Sequence, residues 1–487
     1  MAGSVSELVT RFALIRKSGP DRTLIHLPGA GAGWSADDVW RAHQRYTDRL
    51  AEIGVGAGDL VISAAGNAAP SVPFLLACRA VDAAMMPADS GTTQPELLAM
   101  AERFGAAALL LPDSTFAHDP RLDVDRTTVL DAGLRLSPTL GTERRRYAGT
   151  AVLKLTSGST GMPRAALTTE AQLMADAIRI AAAMNSGASD VQIATIPISH
   201  AYGLGNLVVT LLMQGTPIVL RDSFVPHQLQ ADARRFGARV FQGVPFMFQF
   251  FLSTPLAGGW PESLTALFSA GAPLPTATVR AFHDRFGLKI HSFYGASEAG
   301  GIALDDGDEI DDRGTVGRPL PGVTVTLRDE EGVNGRIHVA STAVASGYSH
   351  GDNEAFVDGG FLTGDCGVWD EQGRLTFAGR VSSFVNVAGH KVRPDEVEEV
   401  LKAMPGVADA RVVGADDPRR GEQIVACVVA EQQGSLAALA VRRFCAARLA
   451  PHKVPRAIVF VDAIPVTARG KIDRAALAGI IRARLSV

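Results

Sequence analysis

Short apolar runs alternate with amphipathic stretches through most of the chain. Residues 61–64, 107–111, 191–196, 217–220 and 240–243 are brief and rich in aliphatic side chains, as buried strands are. Residues 170–184 and 229–236 place apolar positions at helical spacing, and Thr169 with Gln172 forms a capping box ahead of the first. The alternation predicts an α/β fold of layered subdomains with largely parallel strands. Near residue 315 the pattern changes. Residues 323–328, 336–340 and 375–378 read as short strands between glycine turns, which predicts a small β-rich subdomain at about 315–380. The large N-terminal domain is expected to span 1–380 and a small, mobile α+β domain 381–487. The latter opens with a strand at 384–387 and a helix from Pro394, whose first turns carry Asp395, Glu396, Glu398 and Glu399. Residues 112–149, with Arg144, Arg145 and Arg146, read as a polar connector.

Composition narrows the field. The 487 residues are 47% hydrophobic and 20% charged, ordinary globular usage, so a disordered chain is excluded. A net charge of -4 offers no basic field for nucleic acid. The 50 glycines favour turns and close backbone approach to a ligand. Cys78, Cys366, Cys427 and Cys445 lack zinc-ligand and redox-pair spacing and read as buried thiols in a reducing compartment. The first residues lack a basic segment followed by an apolar run, and residues 207–220 are broken by Gln214, Gly215 and Pro217. Neither a signal peptide nor a membrane span is expected, and the cytoplasm is the expected location.

The strongest local signal follows the apolar strand at 151–155. Thr156, Ser157, Gly158, Ser159, Thr160, Gly161, Met162, Pro163 and Arg164 concentrate hydroxyls and glycines in one loop. Glycine lets backbone N–H groups close on a ligand, hydroxyls add donors, and Arg164 adds a charge, which suits phosphate oxygens. The spacing is not that of a Walker loop. The region around Gly295 and Ser297 lacks the closing glycine of a hydrolase elbow, Gly29 to Gly33 fails the dinucleotide fingerprint, and no His-Glu-x-x-His zinc site occurs.

The loop resembles the phosphate loop of the adenylate-forming superfamily, which includes acyl-CoA synthetases, luciferase and the adenylation domains of peptide synthetases. Further segments match it in order. They are Phe268 to Pro275 with Gly271, Ala272 and Pro273; Tyr294, Gly295, Ala296, Ser297 and Glu298; Thr363, Gly364 and Asp365; Gly379 and Arg380 through Gly389, His390 and Lys391; and Pro465 to Lys471. The resemblance implies a two-step enzyme that uses ATP, Mg²⁺ and coenzyme A. A carboxylate is first converted to an acyl-adenylate with release of pyrophosphate, and the acyl group then passes to a thiol.

By the same resemblance Thr156 to Arg164 grip the β- and γ-phosphates, Ser297 contacts the α-phosphate and Glu298 holds Mg²⁺. The segment at Gly271, Ala272 and Pro273 lines the adenine site, on which Tyr294 stacks beside Gly295 and Ala296. Asp365 and Arg380 take the ribose. Lys471 is the expected adenylation catalyst, with Ser297 and His200 as further catalytic candidates. The acid pocket is expected from His200, Tyr202, Val244, Phe246, Ala270, Gly295 and Gly300, and the apolar run from Phe241 to Phe251 favours a hydrophobic or aryl acid. Ser199-His200 stands where amino-acid-activating relatives carry Phe-Asp, which implies a substrate without an α-amino group. Gly389 and Lys391 belong to the expected thiol tunnel, and Ser382 to the hinge.

The chain departs from the family pattern at Met162, Arg164 and Ala165, where Lys-Pro-Lys-Gly is usual, and at Ser382 and Ser383. Two alternatives follow, a ligase that loads a carrier-protein phosphopantetheine and a non-catalytic nucleotide-binding relative. A monomer or homodimer is expected.

Overall fold

The computed structural model describes residues 6–29, 33–156, 164–310, 314–328, 335–380, 385–387, 390–392, 394–417, 421–432, 434, 436–449, 451–466 and 472–485. The chain divides into two compact units. The first comprises residues 1–328, 337–363 and 368–377, and the second residues 329–336, 364–367 and 378–487.

The architecture is mixed α/β. In the first unit, one seven-stranded sheet runs in the order Thr128–Leu130, Leu134–Pro138, Ala108–Pro112, Leu60–Ser63, Ala84–Pro87, Thr150–Thr156, Arg164–Thr169. Its centre is parallel and fully buried, which is why residues 60–62 and 108–111 are apolar without alternation. Residues 112–149, polar enough to read as a connector, in fact hold two of these strands. Leu134–Pro138 pairs antiparallel with Ala108–Pro112 and then with Thr128–Leu130. Strand pairing with an already formed edge overrides local polarity there.

A fourteen-stranded sheet contains a parallel core of Thr23–His26, Ile218–Leu220, Val191–Ala194, Ala238–Gly243, Ala266–Ser269 and His291–Ala296. Antiparallel strands continue it through Gly300–Leu304, Thr315–Pro319 and Leu375–Arg380. The glycine-punctuated region after residue 315 thus extends the same sheet.

The expected helix at 170–184 forms at Glu170–Ala183. The Thr169 hydroxyl accepts the Gln172 N–H at 3.2 Å, and the Gln172 side chain accepts the Thr169 N–H at 2.8 Å, closing the capping box. Between Ala201 and Gln214 the helical path includes a π-helical stretch, Leu204–Val209. Such stretches are rare and cluster at functional sites.

The second unit holds a five-stranded sheet of His390–Val392, Val385–Val387, Gly421–Ala430, Val407–Asp417 and Ala457–Phe460, with helices Pro394–Lys402, Ala438–Ala446 and Arg474–Leu485. Val397 and Leu401 bury one face of the first helix against Ala410 and Val412. No described helix is long and apolar enough to cross a membrane. All four cysteines are buried and free.

Candidate active site

The glycine-rich loop closes a β-hairpin. Thr150–Thr156 and Arg164–Thr169 pair antiparallel with Thr156 opposite Arg164, and the Thr156 hydroxyl donates to the Arg164 carbonyl at 3.3 Å. Ser157, Gly158, Ser159, Thr160 and Gly161 lie outside the described residues. The ladder therefore fixes where the loop leaves and returns, and it places Arg164 at the rim.

A second hairpin joins His291–Ala296 to Gly300–Leu304, with Ala296 opposite Gly300. Ser297 and Glu298 occupy its tip, where the Ala299 N–H bonds the Ala296 carbonyl at 3.2 Å. The two hairpins share one side-chain chain. The Tyr348 hydroxyl donates to Glu298 Oε1 at 2.8 Å, and the Arg164 guanidinium lies 3.9 Å from the centroid of the Tyr348 ring. Tyr348 is held against the loop hairpin by a bridge to Ala166 and by the Ser349 N–H to the Ala165 carbonyl. Burial, then the neighbouring Glu298 carboxylate, raises the Tyr348 phenol well above its ordinary value, so it remains a donor at neutral pH. Arg164 Nε is buried with no hydrogen-bond partner among the described residues.

Beneath the tip sits a buried pair of charges. Lys154, two residues before Thr156, and Asp176, on the helix Glu170–Ala183, are each 6% exposed. Burial lowers the Lys154 pKa, opposed by the fields of Asp176 and Glu298. Asp176 Oδ1 accepts the Gly301 N–H at 2.9 Å. Gly300 adopts φ +71°, and a Cβ there would stand 2.4 Å from Asp176 Oδ1, so only glycine fits.

The expected acid-pocket residues fall on several elements. Ala270 is buried and its N–H bonds the Gly243 carbonyl at 3.1 Å; a Cβ on Gly271 would meet Val244 at 3.6 Å. Ala272 and Pro273 are exposed beside it. The Tyr202 ring stacks on Phe293 with centroids 5.9 Å apart, and its hydroxyl is buried without a partner among the described residues. Burial raises the Tyr202 phenol. His200 is exposed and precedes the short helix at Ala201; Gly203 lets that helix close on the Pro197 carbonyl, which a Cβ would meet at 2.3 Å. Asn67 pins the same turn by accepting the Ile198 N–H at 2.8 Å. Phe246 is 50% exposed and packs edge-on against Phe224 and Phe250.

Asp365 is buried on the strand Gly360–Trp369. Arg380 ends Leu375–Arg380 and Lys391 lies on His390–Val392, but their side chains are outside the described set. Ser382, Gly389 and Lys471 are also outside it. The segment bearing Lys471 is bracketed by the antiparallel bridge Val466–Ile472 and by the Asp473 N–H to the Pro465 carbonyl at 2.9 Å.

Sequence reasoning missed Lys154, Asp176 and Tyr348, although two carried a signal. Lys154 interrupts an apolar strand, and Asp176 lies among Leu173, Met174, Ala177 and Ile180 on the buried helix face. A buried amide chain also escaped notice. Asn206 Nδ2 donates to Gln242 Oε1 at 2.8 Å, and Gln242 Nε2 donates to Gln192 Oε1 at 2.7 Å. It ties the π-helical stretch to two neighbouring strands.

The sulfoacetate–CoA ligase of Cupriavidus necator is 31% identical over 335 residues, 66% of this chain and 66% of that protein, just under two thirds of its length. A feruloyl-CoA synthase from Amycolatopsis sp. is 27% identical over 493 residues, 96% of this chain and 97% of that one. The fold matches ATP-bound MatB from Rhodopseudomonas palustris with a TM-score of 0.80 at 24% identity, covering 97% of this chain and 98% of that one. Residues 13–349 match the AMP-binding enzyme family and residues 396–471 match its C-terminal domain. Both hairpins lie within the first of these segments, and the chain belongs to the AMP-binding enzymes.

Proposed function

We propose that this protein is an AMP-forming acid–thiol ligase, which activates a carboxylic acid without an α-amino group and transfers the acyl group to coenzyme A. The observation that carries the reading is the Arg164–Tyr348–Glu298 chain, which couples the rim of the phosphate loop to the carboxylate at the second hairpin tip.

In the first step a carboxylate oxygen forms a bond to the α-phosphorus of ATP, and the bond to the bridging oxygen breaks to release pyrophosphate. Two anions meet, so catalysis is mainly orientation and charge stabilisation. Arg164 and the loop residues are assigned to the polyphosphate, and Ser297 to the α-phosphate. Glu298 is the carboxylate suited to Mg²⁺, which when bound would neutralise phosphate charge. The described residues contain no group of three or more His, Cys, Asp or Glu able to hold a metal by themselves, and Mg²⁺ usually relies on one or two carboxylates with phosphate and water. Tyr294 is assigned to adenine, Asp365 and Arg380 to ribose, and Lys471 to the charge developing at the α-phosphate. In the second step the thiol sulfur attacks the acyl carbon, the acyl–phosphate bond breaks and AMP leaves. Gly389 and Lys391 are assigned to that step, with rotation of residues 381–487 about Ser382 between the two.

The feruloyl-CoA synthase aligned over nearly the whole chain favours an aryl acid. Four buried free thiols favour a reducing, cytoplasmic setting. The test is incubation with ATP, Mg²⁺ and coenzyme A against aryl, short, medium and long acids, with mass spectrometry of the thioesters. An aryl-CoA with stoichiometric AMP is expected. Transfer only to a holo-carrier protein would replace coenzyme A as the acceptor, and ATP binding without pyrophosphate exchange on any acid would refute the ligase reading.

A further inference from the structure

Asn67 follows the carboxyl end of Leu60–Ser63 in the seven-stranded sheet, yet its side chain grips backbone that continues the fourteen-stranded one. Its Oδ1 accepts the Ile198 N–H at 2.8 Å, and its Nδ2 donates to the Ile196 carbonyl at 3.3 Å and the Arg221 carbonyl at 2.9 Å. Two carbonyls and one N–H fix the orientation of the amide and use both of its N–H donors. Ile196 and Ile198 continue the strand Val191–Ala194, and Arg221 continues its parallel neighbour Ile218–Leu220. Asn67 is thus a wedge at the carboxyl ends of two parallel strands, the edge at which such sheets bind ligands. Both sides of the wedge are anchored. On its own side the Ser71 hydroxyl donates to the Gly66 carbonyl at 2.8 Å. On the other, the Arg221 N–H bonds the Ala194 carbonyl at 3.1 Å, and the Arg221 guanidinium holds both oxygens of Asp232.

The gripped backbone leads into the expected acid pocket. The His200 N–H bonds the Pro197 carbonyl at 3.0 Å, and the Leu204 N–H bonds the His200 carbonyl at 2.9 Å. Gly203 closes on the same Pro197 carbonyl, so the path from Ile196 to Leu204 is one tight turn. A shift at Ile198 is therefore carried to His200 and Tyr202. We propose that Asn67 is a positioning residue of the acid pocket, setting His200 and Tyr202 through the Ile196–Ile198 backbone without touching the substrate. This rests on the reading of His200 and Tyr202 as acid-pocket residues. Alanine at position 67 would strip three backbone groups of their partner. Aspartate would keep the Ile198 bond but turn a carboxylate oxygen toward two carbonyls.

The experiment compares wild type, Asn67→Ala and Asn67→Asp by ATP–pyrophosphate exchange, by hydrogen exchange over residues 196–204 and by thermal unfolding. The acid is ferulate, after the feruloyl-CoA synthase relative. Both variants are expected to raise the KM for ferulate tenfold or more, leave the KM for ATP within twofold, and speed hydrogen exchange over residues 196–204. An unchanged KM for ferulate, or equal rises for ferulate and ATP, would overturn the proposal. The wild type supplies a check that needs no variant: its Ile198 amide should exchange slowly, and rapid exchange would overturn the proposal as well. His200→Ala and Tyr202→Leu test the underlying reading. If neither alters the KM for ferulate, the acid-pocket assignment falls while the hold of Asn67 on the turn stands. A wild type without ferulate-dependent exchange would remove the aryl-acid reading, and the Ile198 amide would then sustain or overturn the role of Asn67.

Discussion

Replacing Tyr348 by phenylalanine isolates the contact that joins the two hairpins. Tyr348 is 7% exposed, and its ring is held between the Arg164 guanidinium at 3.9 Å and the Phe356 ring at 5.1 Å. Phenylalanine keeps that packing and deletes only the hydroxyl, which lies 2.8 Å from Glu298 Oε1. A hydrogen bond to a charged acceptor is worth about 1.5–3 kcal/mol. If it orients Glu298 for the transition state of adenylation, its loss corresponds to a roughly tenfold to hundredfold slower first step. The assay is acid-dependent ATP–pyrophosphate exchange at saturating acid, run beside thioester formation from a supplied acyl-adenylate and a thermal melt. Exchange should fall within that range, with the thioester step and the melt close to wild type. Exchange within twofold of wild type, while Glu298→Gln is inactive, would show that the hydroxyl does not position the carboxylate. Equal loss in both half-reactions would show a general disturbance instead.

Gly300→Ala would force a β-carbon against the Asp176 carboxylate at φ +71°, and the combined strain and lost Gly301 hydrogen bond should cost about 3 kcal/mol, read as a lower denaturant midpoint. Lys471→Ala should abolish acid-dependent pyrophosphate exchange but spare thioester formation from acyl-adenylate; loss of both steps together would contradict the separate roles. His43 is buried, and burial lowers its pKa from 6.5 to about 4, so the native imidazole stays neutral where the unfolded one takes a proton. Stability is then complete above pH 6.5 and falls by up to about 1.4 kcal/mol per unit as the pH drops toward 4. Urea titrations of His43→Leu should show a flatter decline over that window than wild type.

Periodicity alone located fewer than half of the strands of the two large sheets, among them Leu60–Ser63, Ala108–Pro112, Val191–Ala194, Ile218–Leu220 and Ala238–Gly243, and the capping box marked the helix after the loop hairpin to within a residue. These features are local, arising from side chains a few positions apart on one element. The Thr156–Arg164 loop stood out because hydroxyls and glycines sat together in the chain, and Glu298 because residues 294–298 resemble a family motif. What the chain could not reveal was which distant residues complete them. Tyr348 reaches Glu298 across fifty positions only because residues 346–349 lie along the outer edge of the loop hairpin. Lys154 and Asp176 look like misplaced charges until helix and strand bring them under the same tip. Residues 112–149 look like a connector until an exposed strand edge recruits part of them. Backbone pairing and shared burial are satisfied by the assembled sheets as a whole, so such partnerships exist only in the folded protein.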